Sequence, residues 1–321
     1  MSTIAYEGRT YACEAGESVL DCLMRHGVLL PSSCRNGICQ TCMMHAISGD
    51  IPEESQKGLK DTLKVQGYFL ACVCRPRGDM EIRQATVEGH RHAGTVSAKE
   101  QLNAQVMRLR IQPGAPFPYR AGQFINLLHG NAVRSYSLAS LPGEGEIELH
   151  VRQVPSGLVS SWVHRELAVD DGVEFFGPAG DCFYVPGKPE QPLLLVGTGT
   201  GLAPLYGIIR DAIAHGHTGD IRLFHGSLHR DGLYMVDTLQ ALAAASENIR
   251  YIPCVLHGEA PAGGAVGSID DVVMQAMPDL AGWRVYLCGD PEIVRTLQGR
   301  IFLAGAAMQE IHADAFTFTP H

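Results

Sequence analysis

The chain has 321 residues, 45% of them hydrophobic and 18% charged, with a formal net charge of −9. A single core rarely grows past about 250 to 300 residues, so this length implies two or three domains. No apolar run approaches the roughly 20 residues that span a bilayer, and negative charge without a basic stripe argues against membrane and nucleic-acid partners.

The first seven residues pass straight into strand-like sequence with no signal-peptide pattern, so a cytoplasmic location is expected. Ser2 to Ala5 and Arg9 to Cys13 read as paired strands turning at Glu7-Gly8. Ser18 to His26 reads as a helix with Gly27 just past its end, and Asp79 to Arg83 as a closing strand. Between them lies Ser33-Cys34-Arg35-Asn36-Gly37-Ile38-Cys39-Gln40-Thr41-Cys42, followed at a distance by Phe69-Leu70-Ala71-Cys72.

The pattern C-x4-C-x2-C plus one distant cysteine is that of a plant-type [2Fe-2S] ligand set, in which Cys34, Cys39, Cys42 and Cys72 would hold two irons. Gly37 suits a loop that turns its N–H groups toward one point. A zinc site would show two C-x2-C knuckles, and Cys72-Val73-Cys74 is too closely spaced to be the second. Cys74 is expected as a neighbour of the ligands, although the sequence leaves a swap with Cys72 open. The six cysteines outside the ligand set, Cys13, Cys22, Cys74, Cys182, Cys254 and Cys288, are scattered singly and are expected as reduced thiols.

Residues 1–90 resemble the β-grasp ferredoxin domain, an α+β unit. The first 92 residues hold 10 Lys and Arg against 11 Asp and Glu, and the remainder 15 against 23. The cysteine-bearing segment is therefore nearly neutral, as suits a domain tethered to its electron donor and in little need of long-range steering. Glu88 to Gly94 is polar and aperiodic and is expected as a linker.

Residues 95–187 are strand-rich. Val106 to Ile111 and Glu146 to Val151 alternate with period two, and Leu141-Pro142-Gly143-Glu144-Gly145 is a turn, so a small antiparallel β-barrel or sandwich is expected, with the barrel the form assigned to this domain. Residues 188–321 switch to strands at 193–196, 221–225, 249–256 and 284–288 alternating with helices at 203–215, 233–245, 269–277 and 292–303. That order implies an α/β domain with a parallel, doubly wound sheet and ligands at the carboxyl ends of its strands.

Four local motifs accompany these elements: Arg134-Ser135-Tyr136-Ser137, Gly157-Leu158-Val159-Ser160, Gly197-Thr198-Gly199-Thr200-Gly201-Leu202-Ala203-Pro204 and Tyr286-Leu287-Cys288-Gly289-Asp290-Pro291. With them the full length resembles the ferredoxin-NADP reductase superfamily, in the ferredoxin, flavin, nicotinamide arrangement of the reductase components of bacterial Rieske and diiron oxygenases. The resemblance implies that Arg134 binds flavin phosphate, Tyr136 packs on the ring system and Ser137 reaches the N5 edge. These roles suit a cationic fork, a π-face and a short hydroxyl. It assigns the flavin diphosphate to Gly157 and Ser160 at a helix start, against the alternative of an ordinary Ser-capped helix.

The same resemblance assigns the nicotinamide coenzyme to Gly199, Thr200, Gly201, Pro204 and Gly289. It places Cys288 beside the reacting rings, against the alternative of a buried core thiol. Phe316 or Phe318 would cover the flavin, with Phe316 preferred. Ser137, Cys288 and Phe316 are thus the expected catalytic contacts. The implied cofactors are a [2Fe-2S] cluster, FAD and NADH, with NADPH possible, because Gly226 to Asp231 offers groups for either a ribose hydroxyl or a phosphate.

Flavin joins two-electron to one-electron chemistry, so the expected path runs from NADH to FAD, to the cluster, and then to a protein electron acceptor such as an oxygenase component. A non-oxygenase acceptor, such as a deoxysugar dehydratase, would use the same chain. A ferredoxin carrier with a degenerate reductase part is disfavoured by the intact flavin and nicotinamide motifs, and a flavohaemoglobin-like or free-flavin reductase by the cluster ligands.

Overall fold

The computed structural model describes residues 2–30, 32, 35, 37, 42–84, 91–130 and 132–316. The chain divides into two units, Met1–Val87 and Glu88–His321. In the first, the elements are β1 Thr3–Tyr6, β2 Arg9–Ala12, α1 Val19–Arg25, β3 Met43–Ser48, α2 Asp61–Val65, β4 Tyr68–Leu70 and β5 Met80–Gln84. They form a mixed sheet of order β2-β1-β5-β3-β4, with β1 parallel to β5 and its other pairs antiparallel.

Helix α1 lays Val19, Leu20, Cys22 and Leu23 into the core of this unit. Its start is fixed by Ser18, whose hydroxyl accepts from the Asp21 N–H, a cap that contributes about 1 kcal/mol. Cys13 and Cys22, Cα atoms 5.3 Å apart, form a disulfide, which corrects the expectation of six free thiols. The cause is local: the turn after β2 doubles the chain back so that the buried face of α1 meets the strand end. Cys74, Cys182, Cys254 and Cys288 are free and buried.

The second unit holds two sheets. The elements of the first are β6 Arg91–Gln101, β7 Val106–Pro113, β8 Phe124–His129, β9 Ala132–Ser137, β10 Ile147–Arg152, α3 Leu158–Arg165 and β11 Gly172–Ala179. Its six antiparallel strands run β10-β7-β6-β11-β8-β9, and a bridge between Leu138 and Leu149 joins the two ends into a barrel. The expected linker over 88–94 is corrected in part: 88–90 lie outside the described residues, and Arg91 to Gly94 belong to β6. Their polar look is misleading because partners supply the contacts. Arg91 pairs with Glu174 on β11 at 2.6 Å, and a Cβ on Gly94 would lie 2.6 Å from Ile111.

The remaining elements are β12 Leu193–Thr198, α4 Leu202–Ala214, β13 Ile221–Ser227, α5 Val236–Ala244, β14 Ile249–Val255, β15 Ala265–Val266, α6 Ile269–Ala276, β16 Arg284–Gly289, α7 Pro291–Leu303 and β17 Ile311–Ala315. All six strands are parallel, in the order β15-β14-β13-β12-β16-β17. Strands β12 and β16 are buried on both faces, which is why they read as unbroken apolar runs. The chain leaves β12 toward β13 on one side and returns to β16 on the other, so a switch point opens at the carboxyl ends of β12 and β16. Helix α5 starts at Val236 rather than Leu233, because Met235 sits in the left-handed region at φ 55°. Among the described residues, no helix is long and apolar enough to cross a membrane.

Candidate functional site

Of the four expected cluster ligands, Cys34 and Cys39 lie outside the described residues. Cys42 and Cys72 are buried, 5% and 8% exposed. The antiparallel register that pairs Met43 with Leu70 continues through a bond from the Ala71 N–H to the Cys42 carbonyl, so both cysteines emerge at one end of the β3–β4 pair. Gly37 has φ 73°, and a Cβ there would lie 3.2 Å from Val73, so the loop packs against the Cys72 segment through a position that favours glycine. Two buried cysteine side chains beside a tight glycine turn fit a [2Fe-2S] cluster. Cys74 is fully buried in the core, with its N–H bonded to the Leu70 carbonyl and its carbonyl taking the Val19 N–H.

On β9, Arg134 and Tyr136 are half-buried on one face while Val133 and Ser135 are exposed on the other, as strand alternation requires. Ser137 is 7% exposed, and its hydroxyl donates to Asp314 Oδ2 on β17 at 3.3 Å. This bond joins the barrel to the parallel sheet. Burial pushes the Asp314 carboxyl up to about 6, with Asp181 adding to the lift and Ser137 opposing it.

Gly157, not Ser160, caps α3, and no side-chain bond closes that cap. Ser160 instead lies in the first turn, where its hydroxyl accepts from the Val154 N–H at 3.2 Å. A Cβ on Gly157 would meet that hydroxyl at 2.5 Å. The turn is therefore a glycine cradle at a helix start, with backbone N–H groups facing outward, and it fits a diphosphate.

At the switch point, Gly199 to Gly201 make a short 3-10 turn into α4, with Pro204 buried in the first turn of that helix. Gly199 has φ 53°, and a Cβ on Gly201 would collide with the Cys288 carbonyl. Gly289 has φ 119°, and a Cβ there would crowd Thr198, whose hydroxyl accepts the Asp290 N–H at 2.9 Å. Asp290 then caps α7 by accepting from Glu292 and Ile293. These contacts bring backbone at Gly199 and Gly289 to the edge of a cleft of about 430 Å³ that Thr198, Thr200 and Phe316 also line. Close backbone approach at two helix starts fits a dinucleotide.

Phe316 is anchored by its N–H to the Gly289 carbonyl at 2.8 Å. Phe318 lies outside the described residues. Cys288 is 1% exposed, does not line the cleft, and points to Cys182 with 3.7 Å between the sulfurs, so the structure places it as a core thiol behind the site. Burial holds its thiol well above the ordinary value.

Three residues absent from the sequence reading belong to this seam. Asp314 stood two residues before the expected aromatic cover without a role. Arg152 closes β10, lines the cleft, and reaches to 4.0 Å from where a Gly199 Cβ would stand. Asn103, from the β6–β7 turn, also lines the cleft. Within the period-two run from Glu146 to Val151, the polar Glu148 and His150 are buried, 5% and 3% exposed. Burial alone would raise the Glu148 carboxyl. The His150 hydrogen bond at 3.0 Å and the guanidinium groups of Arg108 and Arg110, each at 3.3 Å, hold it below its usual value. Burial lowers the His150 imidazole below its ordinary value, against the pull of Glu148, and the ring bridges Glu148 through Nε2 and the Tyr234 hydroxyl through Nδ1, each at 3.0 Å.

A cysteine loop, a barrel with a phosphate cradle and a parallel sheet with a dinucleotide turn together define an iron-sulfur flavoprotein reductase. Family matches agree: a 2Fe-2S iron-sulfur cluster binding domain over residues 2–77, an oxidoreductase FAD-binding domain over 93–184 and an oxidoreductase NAD-binding domain over 195–299. The chain is 34% identical to the ferredoxin–NAD(P)+ reductase component of the naphthalene 1,2-dioxygenase/salicylate 5-hydroxylase systems of a Ralstonia species, covering 94% of each. It is 33% identical to the aromatic O-demethylase reductase subunit of an Amycolatopsis strain, over 98% of each. The Amycolatopsis cytochrome P450 reductase GcoB superposes with a TM-score of 0.70 at 30% identity, over 98% of this chain and 99% of that one. The chain therefore belongs to the ferredoxin–NAD(P)+ reductase family of three-domain iron-sulfur flavoproteins, NAD(P)H-dependent oxidoreductases that pass electrons to an external acceptor.

Proposed function

We propose that the chain is the NADH-dependent reductase of an oxygenase system, organised as a ferredoxin domain over 1–90, a flavin domain over 95–187 and a nicotinamide domain over 188–321. The observation that carries this reading is the Ser137–Asp314 bond, which brings the end of the flavin strand β9 to the strand next to Gly289. When bound, FAD accepts a hydride and releases electrons singly, and the [2Fe-2S] cluster carries them one at a time.

The chain's own part is positioning. Arg134 anchors flavin phosphate, Gly157 and Ser160 cradle the diphosphate, and Tyr136 packs on the ring system. Ser137 stands at the reactive edge, held there by its bond to Asp314. Gly199, Thr200, Gly201 and Gly289 bring backbone N–H groups to the dinucleotide, Pro204 stiffens the first turn of α4 behind them, Arg152 supplies positive charge, and Phe316 excludes water from the nicotinamide end. Cys288 supports this wall from within the core. Cys34, Cys39, Cys42 and Cys72 hold the cluster.

NADH is favoured over NADPH because Asp231 in the cleft suits a ribose hydroxyl, and a chain drawing on that reductant belongs in the cytoplasm. The test is anaerobic addition of NADH, and in parallel NADPH, to the purified protein. Flavin and cluster absorption should both bleach, and faster with NADH. Flavin that stays oxidised with either coenzyme contradicts the reading.

A further inference from the structure

Ser227 at the end of β13, and His229 and Asp231 in the loop that joins it to α5, line the wall of the nicotinamide cleft. Within its own domain it is held on one side, where the Ser227 and Leu228 carbonyls accept the N–H groups of Leu256 and His257 at 3.0 and 2.9 Å. Its other side is held by the barrel. Asn103 Oδ1 accepts from the N–H groups of Gln105 and Val106 at 2.9 and 2.8 Å, which fixes the amide orientation and points Nδ2 outward. Nδ2 then faces the carbonyls of Asp231 and Gly232 at 3.2 Å each and Leu233 at 3.5 Å.

Two more barrel groups grip the same segment. The Tyr234 hydroxyl bonds to His150, and an Arg108 nitrogen lies 3.5 Å from the Met235 sulfur. Met235 has φ 55°, a conformation that costs a β-carbon-bearing residue free energy and persists only where its surroundings over-determine it.

We propose that Asn103 is a positioning residue through which the flavin domain sets the adenosine-side loop of the nicotinamide cleft, and thereby the affinity for the coenzyme. The amide divides its labour. Oδ1 builds the barrel's own turn, and Nδ2 reaches across to a loop whose carbonyls would otherwise slide with respect to the barrel. Because the loop reads the adenosine half and not the reacting ring, loosening it weakens binding while leaving the limiting hydride-transfer rate intact. The proposal rests on the cleft being the coenzyme site.

The test uses the full-length holoenzyme with Asn103→Asp, which keeps the acceptor for Gln105 and Val106 but removes both Nδ2 donors. Flavin and iron content should match wild type, and the limiting rate of flavin reduction by NADH should stay within about twofold. The KM for NADH and the inhibition constant of AMP, which probes the adenosine half alone, should each rise about fivefold to tenfold. Tyr234→Phe cuts the second tether and should shift the same two constants about threefold, which keeps the test decisive if Asn103→Asp fails to fold. Unchanged affinity for AMP, or a fall in limiting rate at constant KM, overturns the proposal. AMP that does not compete with NADH in the wild type overturns the cleft assignment beneath it, a result distinct from either.

Discussion

The two walls of the flavin–nicotinamide seam are built from different material. The barrel wall is made of side chains: Arg134 and Tyr136 stand half-buried on one face of β9, with Ser137 at its end. At its closest approach the opposing wall is backbone, because Gly201 and Gly289 lie where a Cβ would strike Cys288 or Thr198. A side-chain wall loses function in increments as single contacts are removed, whereas a backbone wall has no spare distance and fails at once. The seam thus couples an adjustable surface to a rigid one, and the Ser137–Asp314 bond joins them.

Breaking the rigid wall should have the largest effect. Gly201→Ala forces β12 and β16 apart at the Cys288 carbonyl, and a displacement of that kind costs about a hundredfold in NADH-dependent flavin reduction. Flavin and cluster content should remain normal, and a variant reducing flavin at the wild-type rate would show that the wall yields. Arg134→Ala tests the adjustable side. One lost charge-assisted contact should weaken flavin retention about tenfold to a hundredfold, measured by ultrafiltration, while any protein that keeps its flavin reacts with NADH normally.

Asp314→Asn probes the joint. A carboxyl whose pKa rises from 3.8 to about 6 on folding favours the folded state below 3.8, and that contribution is lost as pH climbs through 6. Unfolding measurements should therefore show wild type and Asp314→Asn converging near pH 4, with the variant the more stable by about 2 to 3 kcal/mol at pH 7.5. Parallel pH curves would place Asp314 in water rather than in the seam. The smallest change is Ser160→Ala, which removes the bond from the Val154 N–H and should lower stability by about 1 kcal/mol in thermal unfolding with a modest loss of flavin affinity.

Much of this architecture was legible because it rests on local pattern. Strands β12 and β16 announce themselves as apolar runs buried on both faces, and the glycines between β12 and α4 sit where only a close backbone approach explains them. What the sequence concealed depends on contacts across long separations. Glu148 and His150 look like the wet face of an alternating strand, and only the covering of β10 by Tyr234 from the nicotinamide domain makes them a buried network. Arg152, Asn103 and Asp314 carry no motif, since each acts through a partner more than 45 residues away. The Cys13–Cys22 bridge was hidden for a simpler reason: nine residues of separation reveal a pair only once the turn between strand and helix is known.

The central claim is that two-electron chemistry enters at this seam and single electrons leave through the cysteine loop. Cys42→Ser tests it most directly, with NADH as donor and two acceptors in parallel: ferricyanide, which draws from flavin, and cytochrome c, which draws from the cluster. The account predicts that cytochrome c reduction is abolished while ferricyanide reduction persists near the wild-type rate; loss of both together, or survival of both, would contradict it.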